Sequence, residues 1–185
     1  MKKGYVTIGY VALIAMLFFS RPALGQNYAT SVGATGGYAE DGFGVNVSLN
    51  YHMNRWSYIQ IGVFGAYAKE EYLDIRIPYS VFSFQPGYYR RVILIDVSRP
   101  IAVYLGGGPI AGYEILNNGS TDLSNGAILD ARSKFIYGGF LSLEIEFPLS
   151  ESFSLALKAS EHGHVNSDIG KLYPFVGAGF RYYLN

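Results

Sequence analysis

Residues 134–148 and 152–160 alternate apolar and polar side chains, and this period of two constrains the fold more than any other feature of the chain. In the first run Phe135, Tyr137, Leu141, Leu143, Ile145 and Phe147 share one face, opposite Ser142, Glu144 and Glu146. In the second, Phe153, Leu155, Leu157 and Ala159 oppose Ser154, Lys158 and Ser160. Successive side chains of a strand point to opposite sides of a sheet, so each run has one oily and one polar face. Both are longer than the common soluble strand and approach what a tilted strand needs to cross a bilayer. Joined by a polar turn, they predict a transmembrane hairpin with lipid against one face and polar groups enclosed by the other.

The N-terminus predicts export. Lys2 and Lys3 form a positive start, Val11 to Phe19 is apolar, and Ala23-Leu24-Gly25 offers the small residues that a signal peptidase reads. The apolar run is short for a spanning helix, and Pro22 interrupts the chain just before that site, so residues 1–25 are expected to be a cleaved signal peptide. Residues 26–185 are then one domain of 160 residues. Cleavage removes Lys2, Lys3 and Arg21, leaving 11 bases against 14 acids, a net charge of −3 that gives no electrostatic case for nucleic-acid binding. The chain has no cysteine, which excludes a lipidated N-terminal cysteine and all disulfide chemistry.

Half of the residues are hydrophobic, yet after residue 25 no apolar run approaches a spanning helix. The apolar groups lie instead in alternating strands, in a chain that carries 17 Tyr, 12 Phe and 23 Gly in all. Aromatic residues suit the two membrane interfaces, and glycine lets strands curve around a narrow interior. Eight strands are predicted: 29–38, 42–51, 56–68, 77–90, 101–115, 134–148, 152–160 and 172–184. Residues 69–76 read as a charged loop, 91–100 as a turn, 117–133 as a long polar loop and 162–171 as a rim. Pro78 and Pro86 each remove a ladder donor, predicting a bulge or early end in the fourth strand. The fold class expected is all-β: an eight-stranded antiparallel up-and-down transmembrane β-barrel of the OmpX or OmpA-domain kind. A soluble lipocalin-type barrel is the rival, with its apolar residues pointing inward.

Eight strands leave an interior filled by side chains rather than a water-filled pore. Alternation sends Glu114, Glu144, Glu146, Lys158 and Arg181 inward, together with Asn46, Ser48, Gln60 and Tyr104. Charges of both signs are tolerable there when paired, so these five residues are expected to form a structural salt-bridge core. Other chemical candidates are weaker. Gly106-Gly107-Gly108 lacks the Lys-Ser/Thr of a phosphate loop and reads as close packing or a kink. His162 and His164, with Glu161 and Asp168 nearby, lack a third fixed metal ligand and read as solvated rim residues. Some eight-stranded barrels deacylate lipid A with a lipid-facing Ser/His/acid set. Here Ser160 and His162 are expected to face inward, away from any such substrate. No catalytic residue, metal site or cofactor is therefore expected.

The C-terminal half resembles a known family. Leu105-Gly-Gly-Gly-Pro-Ile-Ala-Gly-Tyr-Glu114, then Phe135-Ile-Tyr-Gly-Gly-Phe-Leu-Ser-Leu-Glu-Ile-Glu146, Asp168-Ile-Gly-Lys171 and Gly177-Ala-Gly-Phe-Arg181 are similar, in order and spacing, to the TraO proteins of conjugative transposons. The resemblance implies an envelope component of a mating apparatus, acting in conjugal DNA transfer. Its partners would be outer-membrane lipid and other conjugal transfer proteins, and its place the outer membrane of a Gram-negative-type envelope. Since a barrel of this size cannot pass DNA, it would act as an anchor or assembly partner. The residues expected to meet partners are Asn117, Asn118, Asp122, Asp130 and Arg132 in the long loop and His162, His164, Asp168 and Lys171 at the rim. The alternative is a small OmpX- or OmpA-like barrel serving envelope integrity or surface adhesion.

Overall fold

A strand with one apolar and one polar face is stable at a membrane only if its neighbours present the same faces and the sheet leaves no open edge. The chain meets both conditions. A computed structural model describes residues 30–40, 42–72, 75–116, 133–167 and 170–184. Its strands are β1 (Thr30–Ala39), β2 (Gly42–Asn54), β3 (Ser57–Tyr72), β4 (Ile75–Ile95), β5 (Ile101–Leu116), β6 (Lys134–Pro148), β7 (Phe153–His164) and β8 (Leu172–Leu184). Each pairs antiparallel with the next, and β8 returns to β1 to close the barrel.

The register fixes its girth. From Thr30 the cross-strand partners run through Tyr51, Ile59, Tyr88, Gly107, Leu141, Glu161 and Pro174. The Pro174 carbonyl then accepts the Glu40 N–H, so one circuit returns to β1 ten residues from its start. A shear of ten on eight strands tilts them by roughly 40° and leaves an interior wide enough only for side chains.

The two faces separate as the alternation predicts. On β2, Asn46, Ser48 and Asn50 are buried inside, while Phe43, Val45, Val47, Leu49 and Tyr51 project outward, 39–59% exposed. The same outer wall carries Ile61, Val63, Phe84, Leu141, Leu143 and Phe180. Tyr38, Phe43, Tyr67, Tyr113 and Tyr137 ring it towards one end, and Tyr51, Trp56 and Tyr182 ring it at the end where β1 starts and β8 stops. Oil outside and polar groups within is the arrangement of a barrel solvated by lipid, the reverse of a soluble ligand-binding barrel.

Four segments differ from the sequence expectation. The 69–76 segment is not a loop, because β3 and β4 stay paired through Lys69↔Pro78 to Tyr72↔Ile75. Backbone pairing persists there after the apolar signature stops. Near Pro86 the register neither bulges nor ends. Phe84↔Ala111 and Tyr88↔Gly107 keep one register across a gap in which Pro86 and Pro109, both without an N–H, stand opposite each other. The shift comes later, between Arg91 and Ile93, and β4 runs on to Ile95 through what read as a turn. Finally, β7 continues to His164, because Ser160, His162 and His164 keep the inward alternation although Glu161 and Gly163 supply no apolar outer face.

The Gly106-Gly107-Gly108 run has a packing role. Gly106 faces its ladder partner Tyr89, and a Cβ there would lie 2.3 Å from the tyrosine ring. A Cβ on Gly108 would lie 2.0 Å from the Pro86 carbonyl oxygen. The ring of Tyr89 can therefore lie flat across the interior only over a glycine.

Two variants test this fold. Val47→Arg places a charge midway up the outer wall and is expected to cost about 2–4 kcal/mol in a bilayer. Urea unfolding of liposome-refolded protein measures it, and an unchanged midpoint would mean the wall does not face lipid. Gly106→Val is expected to cost about 1–3 kcal/mol by displacing Tyr89, read in the same titration.

Candidate functional site

The interior is most polar in the half nearest the chain termini. Glu144 and Glu146 on β6, Lys158 on β7 and Arg181 on β8 are each no more than 4% exposed. Alternation points all four inward, and register places Glu144 directly opposite Lys158. The Arg181 guanidinium bonds Glu146 Oε2 at 2.8 Å through Nη1 and grips Glu144 Oε1 through Nη2. Lys158 Nζ lies 3.8 Å from Glu144 Oε2. Two acids and two bases thus balance inside the barrel, as buried charge requires.

Neutral groups extend this core around the wall. Tyr58 donates to Glu144 Oε1 at 2.9 Å and accepts from Arg181 at 3.2 Å, and the Tyr183 hydroxyl donates to Glu146. Lys158 donates to Gln60 Oε1 at 2.9 Å, Gln60 donates to Asn50 at 2.9 Å, and Asn50 donates to Ser31 at 3.3 Å. His52 Nε2 is 3.1 Å from the Ser31 hydroxyl. Tyr58 stacks on Tyr89 with ring centres 4.8 Å apart and meets Tyr104 edge-on at 5.2 Å. Arg181 lies 4.8 Å over the Tyr58 ring, and Lys158 lies 5.1 Å over the Tyr89 ring. Every strand therefore sends at least one side chain into a single plug.

Among the described residues that plug fills this half of the lumen. A cavity of about 10 Å³ beside Gly33, Thr35, Asn46, Ser48, Lys158 and Arg181 has room for one water, far short of a ligand or a conduit. Above it a second cluster, including Phe64, Val81, Ile136, Tyr173 and Phe175, fills the other half. The geometry suits a rigid post in a membrane.

The structure brings together four of the five charged residues expected inside and sets the fifth apart. Glu114 is buried at the opposite end, where its Oε2 accepts the Ser167 hydroxyl at 2.6 Å. His162 and His164 are not solvated rim residues. Both are buried on β7, 2% and 4% exposed, with His162 stacked on Phe64 at 4.8 Å and its Nδ1 2.9 Å from the Tyr173 carbonyl oxygen. Glu161 points outward from the same strand, so it cannot share a metal ion with them. Ser160 donates to Ser142 at 3.0 Å inside the barrel, which leaves no lipid-facing nucleophile and base in this cluster. Lys171 is exposed at the end of the barrel opposite the termini, where its carbonyl accepts the His164 N–H at 2.8 Å. Asn117, Asn118, Asp122, Asp130, Arg132 and Asp168 lie outside the described residues.

Tyr58, Tyr89, Tyr183 and Ser31 are members of the plug that the sequence did not single out, whereas Asn50 shares the polar face of its strand with Asn46 and Ser48. Parity with Gln60 and Arg181 was the available signal for Tyr58 and Tyr183, but tyrosine suits an outer aromatic ring equally well. For Tyr89 the signal was obscured by Pro86 and the glycine opposite.

Charge balance gives a sharp prediction. Arg181→Met leaves two carboxylates against one ammonium and is expected to cost about 3–5 kcal/mol. Arg181→Met combined with Glu146→Gln restores neutrality and is expected to recover a large part of that loss. Urea midpoints of the two variants decide it, and a double variant no more stable than the single one would refute the balance.

Solved structures with the same architecture are known. Neisserial surface protein A aligns with a TM-score of 0.58 and 14% identity, covering 84% of this chain and 96% of its own. The attachment invasion locus protein Ail of Yersinia pestis gives 0.44 and 16%, over 83% of this chain and 96% of its own. At 14% identity the likeness to Neisserial surface protein A is one of fold. No curated protein matches the chain in sequence. A family model described as "Conjugative transposon protein TraO" matches residues 28–184, which spans all eight strands. The chain belongs to the TraO family of conjugative transposon proteins.

Proposed function

We propose that this protein is a non-enzymatic outer-membrane component of the conjugative transfer apparatus, where it anchors or helps assemble other transfer proteins. The observation that carries this reading is the combination of a plugged lumen with a lipid-suited outer wall in a member of the TraO family. A barrel filled by Tyr58, Tyr89, Tyr104 and a four-charge cluster has no path for DNA, which leaves its two ends for recognition.

Those ends differ. With both chain termini in the periplasm, as in outer-membrane barrels, the 54–57, 95–101 and 148–153 connections face the periplasm. The 39–42, 72–75, 116–134 and 164–172 connections face the cell exterior. The long 117–132 segment and Lys171 then belong to the outside, available to a mating partner or to surface components of the apparatus. The short opposite turns are available to periplasmic transfer proteins.

Conjugation itself tests the role. A donor with an in-frame deletion of this gene is expected to lose transfer, with envelope leakage unchanged and transfer restored by the intact gene. Undiminished transfer would sink the proposal. Leakage without a transfer defect would instead mark a general envelope barrel.

A further inference from the structure

β4 continues past the barrel wall. Its neighbour β3 begins at Ser57, opposite Arg90, and the last bond on that side is donated by the Arg91 N–H to the Trp56 carbonyl at 2.6 Å. Beyond it Val92–Ile95 stays extended and is paired only on its other side, through Ile93↔Val103, Leu94↔Ala102 and Ile95↔Ile101. The hairpin thus projects at the end where β1 starts and β8 stops. Its β5 side is secured further by the Arg99 guanidinium, which donates to the Leu149 carbonyl in the β6–β7 turn. On the β3 side no strand covers 92–95 among the described residues.

Proteins ordinarily blunt such an edge with lysine, proline or brevity. This one is short and begins at the register shift between Arg91 and Ile93, but it carries neither lysine nor proline. Val92, Ile93, Leu94 and Ile95 are 44–53% exposed, with no charge between Arg91 and Asp96 and no proline between Pro86 and Pro100. Exposed Arg55 and Arg90 stand at one end of the segment and Arg99 at the other, against the single acid Asp96. Arg91 is already engaged, 4.3 Å over the Trp56 ring. The edge is therefore a preformed, rigid template with a positive surround.

We propose that Val92–Ile95 is a docking strand for an extended segment of a different periplasmic protein, one that alternates apolar residues and carries carboxylates at its ends. The added strand would take the open backbone groups, as in β-strand addition, and its acids would meet Arg55, Arg90 and Arg99. A second copy fits less well, because each copy brings three exposed arginines for one aspartate. The proposal rests on the functional reading only in placing this end in the periplasm.

The test uses the full barrel refolded in detergent micelles and the synthetic peptide Glu-Thr-Val-Thr-Val-Thr-Val-Glu. At ten times its Kd the peptide is expected to slow hydrogen exchange about tenfold at those amides of Val92–Ile95 that point away from β5. The same peptide N-methylated along one edge is expected to do nothing, and a version with Lys for Glu to bind more weakly. Ile93→Asp with Ile95→Asp is expected to abolish the slowing, by repelling the peptide's carboxylates and removing the apolar contacts, while leaving the barrel's heat-modifiable gel shift intact. No slowing by the acidic peptide would overturn the proposal. So would protection of those same outward amides already present without peptide, whether lipid confers it on reconstitution or it grows with protein concentration as in a self-pair. In donor cells the double aspartate variant is expected to lower transfer tenfold or more at normal barrel levels. Should deletion of the gene leave transfer untouched, the role in conjugation fails while the exchange result still decides the edge.

Discussion

In hydrocarbon every backbone N–H and C=O has to be paired within the protein, and the ladder between β8 and β1 is what makes this possible here. Closure has consequences that reach every other feature. It fixes a shear of ten, which sets the tilt and the bore, and the bore decides that the inside is filled with side chains. Because the outer face is committed to lipid by alternation, the polar and charged groups of the strands are confined to the inside, where they share the bore with the apolar cluster around Phe64, Ile136 and Phe175. The interior chemistry of this chain is thus a result of its closure.

Once polar and charged groups are confined to a narrow bore, they have to satisfy one another. Arg181 does most of this by joining Glu144, Glu146 and Tyr58, three groups from two other strands. Lys158 supplies the second positive charge and passes the network through Gln60 and Asn50 to Ser31 on β1. Tyr89 and Tyr104 bring β4 and β5 into the same plug through ring contacts. The aromatic layer depends on Gly106, whose missing side chain is the space that the Tyr89 ring occupies. A set of interactions so distributed resists the sliding of any one strand, because a slip of one residue would turn Glu144, Lys158 or Arg181 into lipid.

Much of this was legible before any coordinates. The period of two located all eight strands, and parity alone put Glu144, Glu146, Lys158 and Arg181 inside. The failures share a physical cause: alternation marks only strand segments whose two faces meet different solvents. Residues 69–72 and 75–76 stay paired in a strand, although the charges in their sequence read as a loop. His162 and His164 line the interior opposite Glu161 and Gly163, where the outer face lacks apolar residues. Val92–Ile95 is apolar on both faces and has no period at all. Hydrogen-bond partners such as Tyr58 for Arg181 are set by register and tilt, which a single sequence does not encode locally.

A plugged barrel in a DNA-transfer family separates two roles that a wider barrel would combine. In the function proposed, the wall and plug hold a position in the membrane, and the surfaces at the two ends choose partners. The most direct measurement is transfer from a null donor supplied with a chimera. It keeps the eight strands and interior of this protein and takes its connections at both ends from an unrelated eight-stranded barrel. The account predicts a chimera that inserts and shifts on unheated gels like the parent but does not restore transfer. Full restoration would contradict it, placing the contribution in the wall itself.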